Sequence, residues 1–66
     1  MKNTLRVERA KQKISQQELA DRVSVSRQTI NAIELGKFNP STVLALKLAR
    51  VFGCCVNDIF FLDDED

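Results

Sequence analysis

The stretch Ser15-Gln16-Gln17-Glu18-Leu19-Ala20-Asp21-Arg22-Val23-Ser24-Val25-Ser26-Arg27-Gln28-Thr29-Ile30-Asn31-Ala32-Ile33-Glu34-Leu35-Gly36 holds two helix starts and one tight turn. Ser15 with Glu18 three residues on is a capping box: the hydroxyl accepts the third amide, and the carboxylate reaches back to the Ser15 amide. Ile14 and Leu19 flank it as a hydrophobic staple. The grammar recurs at Ser26, which can cap a helix beginning at Arg27, with Val25 and Ile30 as the staple. Each cap contributes about 1 kcal/mol. A helix of about eight residues therefore ends near Val23, the turn Ser24-Val25-Ser26 follows, and a second helix runs until Gly36 supplies a left-handed residue.

The segments outside this stretch also read as helices. Thr4 to Lys13 carries Leu5, Val7 and Ala10 among many charges. Asn39 or Ser41 caps a further helix in which Leu44, Leu48 and Phe52 recur at helical spacing beside Ala45 and Ala49, until Gly53 ends it. Val43, Leu46 and Val51 make that helix apolar on several faces. A short last helix is expected over about Val56 to Phe60, with Cys55 as a poor cap. The expectation is an all-α fold of five helices, covering residues 1–62, followed by an acidic tail, 63–66.

A chain of 66 residues is one small domain, and such chains bury only about 60% of their unfolded surface. A marginal core, a helix apolar nearly all round, and the terminal Phe60, Phe61 and Leu62 together predict a homodimer with Leu46 also at the interface. The net charge of +1 hides an asymmetry: without Asp63, Asp64, Glu65 and Asp66, ten basic side chains face five acidic ones. The body is basic and the tail acidic.

The inventory excludes much chemistry. With no His and no Tyr, no Ser-x-x-Lys pattern and no Gly-rich phosphate loop, there is no activated nucleophile, so no catalytic residue is assigned. The adjacent Cys54 and Cys55 supply neither a tetrahedral metal site nor an unstrained disulfide. They read as reduced thiols of a cytoplasmic protein. No cofactor, metal or small-molecule ligand is expected, and no apolar run approaches the length of a membrane span.

What remains is geometry. Two short helices joined by a three-residue turn form the layout of a helix-turn-helix, the second helix presenting Arg27, Gln28, Thr29 and Asn31. Arginine pairs bidentately with guanine O6 and N7, glutamine or asparagine with adenine N6 and N7, and threonine offers a methyl and a hydroxyl. Double-stranded DNA is the expected partner.

The runs Ser15 to Ala20, Val25 to Lys37, Asn39-Pro40-Ser41, Leu44 to Ala49 and Asp58-Ile59-Phe60 resemble the Xre family, the Cro and phage-repressor class of helix-turn-helix regulators. The short, stand-alone form resembles the cytolysin-repressor type within it. The resemblance implies a lambda-repressor-like domain, base contacts by Arg27, Gln28 and Asn31, and backbone contacts by Gln16, Ser26, Thr29, Lys37 and Asn39. It also implies an Arg9–Glu34 ion pair between the first and third helices, and a short strand at residues 60–62 against 1–3. Three positions depart from the family. Ser24 stands where Gly is common, Glu8 where an apolar residue is usual, with Val7 as its compensating neighbour, and Cys55 where Ser caps the last helix. The expected function is sequence-specific DNA-binding transcriptional regulation, as a repressor dimer on a palindromic operator. The alternative is an antitoxin or other module whose main partner is a protein. The two differ in salt dependence, which is steep for phosphate neutralisation.

Overall fold

The computed structural model describes residues 1–66. The elements run β1 (Lys2–Asn3), α1 (Leu5–Gln12), α2 (Gln16–Val23), α3 (Arg27–Glu34), α4 (Thr42–Phe52), a 3₁₀ turn (Val56–Asp58) and β2 (Phe60–Phe61). No helix is long and apolar enough to cross a membrane.

The helix starts follow from their caps. Ser15 Oγ accepts the Glu18 amide at 3.0 Å, and Glu18 Oε1 accepts the Ser15 amide at 3.2 Å, closing the capping box. Ser26 accepts the Thr29 amide, and Ser41, rather than Asn39, accepts that of Leu44. α1 starts differently: Thr4 gives no side-chain cap, and Asn3 Oδ1 accepts the Leu5 amide at 3.2 Å instead.

All four helices end the same way. After α3, the Gly36 amide donates to Ile33 and the Lys37 amide to Ala32, the paired bonds of a Schellman motif around a left-handed residue. Gly36 and Gly53 hold that position after α3 and α4, but Lys13 and Ser24 hold it after α1 and α2, at φ 56° and 61°. A non-glycine residue there costs about 1–2 kcal/mol.

The fifth helix is not formed. Cys55 lacks a capping oxygen, although Asp58 Oδ2 accepts its amide at 3.0 Å. One 3₁₀ turn results, and the chain then extends so that Phe60 and Phe61 pair antiparallel with Asn3 and Lys2. The small sheet is thus present beside four helices.

Twelve apolar residues form the core, and no polar side chain joins them. Ile14 and Leu19 are both buried, as are Ile30 and Ile33 of α3, Leu44, Leu48 and Ala49 of α4, and Ile59. Phe60, expected between two copies, is instead buried in its own chain at 7% exposure, because strand pairing turns it inward. Leu46, Phe61 and Leu62 remain exposed, Leu62 at 80%. Val7 also lies on the surface, so it does not compensate for Glu8, whose carboxylate pairs with Lys11 at 3.1 Å. Both cysteines are free, Cys54 half-buried and Cys55 exposed. Burial, followed by the charges of Asp58 and Glu8, pushes the Cys54 thiol above its ordinary pKa.

Candidate nucleic-acid interface

α2 and α3 pack across the turn Ser24–Ser26, with Leu19, Ala20 and Val23 of α2 and Ile30 and Ile33 of α3 buried together. That leaves the opposite face of α3 outward. Arg27 and Gln28 are exposed, and Thr29 and Asn31 half-exposed. The Ser26 and Thr29 hydroxyls lie 3.0 Å apart at the helix start. Gln28, Lys37 and Asn39 are exposed, and none makes a side-chain hydrogen bond or ion pair within the chain. Their polar groups are free for an external partner. Lys37 and Asn39 follow the Gly36 turn directly, so the Schellman bonds fix where that loop leaves α3.

Behind this face lies a polar cluster from three helices. Arg9 of α1 grips Glu34 with both forks, Nε to Oε2 at 2.6 Å and Nη2 to Oε1 at 3.0 Å. Its Nη1 donates to the Ile14 carbonyl at 3.1 Å, tying in the start of α2. The Glu34 side chain is only 2% exposed. Burial alone would raise its pKa, but hydrogen bonds from Arg9 and Gln16, with the charges of Arg9 and Arg6, hold it below the ordinary value. The hydrogen bond to Glu34 in turn raises Arg9.

Gln16, the first residue of α2, is the surprise of the cluster. Its Nε2 donates to Asn31 Oδ1 and Glu34 Oε1, both at 3.1 Å, and its Oε1 accepts from Arg27 Nη1 at 3.3 Å. Gln16, expected at phosphate, stays half-exposed at the start of α2 while bonding to three side chains of α3. Asn3 is a further participant that sequence reasoning missed. Its Nδ2 donates to the Ile33 carbonyl at 2.8 Å and so fastens β1 to the end of α3. The acidic tail is held at the N-terminus, with Asp66 and Asp63 at 3.1 and 3.4 Å from the Met1 ammonium.

A tight-turn helix pair with a polar outer face on its second member, buttressed by an ion pair from the first helix, defines a helix-turn-helix domain. The comparisons agree. The profile of the helix-turn-helix family matches residues 5–55. An uncharacterized HTH-type transcriptional regulator of Methanocaldococcus jannaschii is 48% identical over 66 residues, covering both chains completely. Another, from Archaeoglobus fulgidus, is 48% identical over the whole of this chain and 94% of its own. YgzD of Bacillus subtilis, also named as such a regulator, is 42% identical over the full length of both. The chain belongs to the Xre-type helix-turn-helix family.

Proposed function

We propose that this protein is a sequence-specific DNA-binding transcriptional regulator that places α3 in the major groove. The observation that carries this reading is the outer face of α3. Arg27, Gln28 and Asn31 project from a helix fixed by caps at one end and a Schellman turn at the other, and their groups match base edges. Lys37 and Asn39, on the adjoining loop, serve as backbone contacts with Ser26 and Thr29, setting register without reading sequence. The basic excess of residues 1–62 supports a polyanionic partner. The names of the relatives point the same way.

The protein acts in the cytoplasm as a homodimer on a palindromic operator, as a repressor that occludes it. Leu46, Phe61 and Leu62 supply the apolar surface for the dimer. Two-fold symmetry then sets the recognition helices about 34 Å apart, facing half-sites about 10 base pairs apart. The test is selection of bound duplexes from a random pool, followed by titration at several salt concentrations. A two-fold-symmetric site bound with a steep negative salt slope is expected. No enriched sequence, or binding indifferent to salt, would instead favour a protein as the main partner.

A further inference from the structure

Cys54 and Cys55 take no part in the polar cluster behind α3. They follow the Gly53 turn that ends α4, and both line one open cleft of about 480 Å³, the largest of the molecule, together with Leu46, Ala49 and Val56. Both thiols are free. Consecutive Cα atoms lie about 3.8 Å apart across a trans peptide, below the roughly 4.4–6.8 Å of unstrained disulfides, so the pair does not close on itself. A single atom bridging the two sulfurs relieves that strain. Metal cations suit the bridge poorly. They bind thiolates, so both thiol protons must leave, whereas burial and the charges of Asp58 and Glu8 keep the Cys54 proton in place. No third cysteine or carboxylate completes a metal-holding group either. The bridging atom must therefore be thiophilic, uncharged on arrival, and able to carry the thiol protons away.

We propose that Cys54 and Cys55 form a two-sulfur site for a neutral trivalent organoarsenical, whose organic group lies along Leu46, Ala49 and Val56. The step is a condensation without electron transfer. Both S–H bonds and both As–O bonds of the hydrated arsenical R–As(OH)₂ break, two As–S bonds form, and the two protons leave with the hydroxyls as two waters. Arsenic stays trivalent, and a thiol held protonated is a suitable reactant. The second As–S bond closes within one molecule, so the pair holds arsenic far more tightly than either thiol alone. The cleft includes Leu46, so an arsenical seated there contests the surface offered to a second copy and releases the protein from DNA. Chelation by the thiols stands apart from the reading of α3, whereas its effect on DNA rests on the reading of the protein as an operator-binding dimer.

The experiment loads the reduced parent, Cys54→Ser, Cys55→Ser and the double Ser variant with phenylarsine oxide, and follows each by intact mass and thiol titration. The parent should gain one phenylarsenic unit and lose both thiols, and the double variant should gain none. Excess glutathione, a monothiol, should displace arsenic from the parent at least about a hundredfold less readily than from either single variant. Equal displacement from parent and single variants, or two arsenic units on the parent, would overturn the shared site. The cleft is tested with methylarsonous acid. Phenylarsenic should outlast methylarsenic on the parent severalfold beyond the difference the two show on free dithiothreitol, and Leu46→Asp should shrink that margin. No such margin on the parent would overturn the seat along Leu46, Ala49 and Val56. On the selected duplex, loading should weaken the parent severalfold and leave the double Ser variant unchanged. Undiminished binding by the loaded parent would overturn the contest for the dimer surface. Mass and displacement are read on the protein alone, so a chain that selects no duplex would refute the reading of α3, and with it the effect on DNA, while the chelation result still decides the arsenic site.

Discussion

Arg9→Ala tests how much the fold depends on the support behind α3. The substitution strips both forks from a Glu34 side chain that is 2% exposed and leaves the Ile14 carbonyl without its Nη1 partner. Removing one member of a covered ion pair costs about 3–5 kcal/mol, because the remaining charge stays desolvated. Gln16 still donates to Glu34, and Arg6 still contributes its charge, so the lower end, about 3 kcal/mol, applies. A chain of this size has about 3–10 kcal/mol in total. With about 2.1 cal/mol/K of unfolding entropy per residue, the melting temperature should fall by about 20 °C. Thermal unfolding followed by circular dichroism at pH 7 measures it. The double variant Arg9→Ala with Glu34→Ala should recover part of the loss, since no charge is then left unpaired. A drop of less than about 5 °C for Arg9→Ala would mean that the pair behaves as a solvent-exposed one, and the reasoning would fail.

The same pair gives acid sensitivity of definite sign. Glu34 is held below its ordinary value of 4.5, so its stabilisation is fully present above that pH and is lost as pH falls through the lowered value. The stability gap between the parent and Arg9→Ala, measured by urea unfolding, should therefore be widest near neutrality and narrow toward pH 3. Ser24→Gly should stabilise by about 0.5–1 kcal/mol, because relief of the left-handed strain exceeds the added chain entropy, and a lower urea midpoint would contradict the geometry at φ 61°. Leu46→Asp and Phe60→Ala should separate assembly from folding. The first, at a position 57% exposed, should leave a folded monomer with weakened operator binding in sedimentation and DNA titration. The second should cost about 3–5 kcal/mol of stability through a core cavity.

The helix-turn-helix was legible because its signals are local. Ser15, Glu18 and Ser26 act on amides within three residues, and their staples at Ile14–Leu19 and Val25–Ile30 fall in the same windows. Ser24 stands out in the sequence by its mismatch with glycine, whereas Lys13 carries no such mark and adopts the same left-handed conformation. The fate of Phe60 is non-local. A terminal Phe-Phe-Leu run reads as surplus apolar surface until β1, some sixty residues away, pairs with it and turns the first ring inward. The last helix failed for a related reason: the sheet claims the residues that would have extended it. The pairing of Arg9 with Glu34 came from resemblance, but the convergence of Gln16, Arg27, Asn31 and Glu34 depends on how α2 crosses α3. No spacing along the chain encodes which amide proton faces which oxygen.

Base reading by α3 is most directly tested with Gln28, which is exposed at the start of α3 and makes no side-chain bond within the protein. The parent and Gln28→Ala should be titrated on the selected duplex and on a random duplex of equal length, across a range of salt. Gln28→Ala should lose about 1–3 kcal/mol on the selected site, almost nothing on random DNA, and keep the salt slope of the parent. Equal losses on both duplexes would place Gln28 against the backbone and contradict the claim that α3 reads sequence.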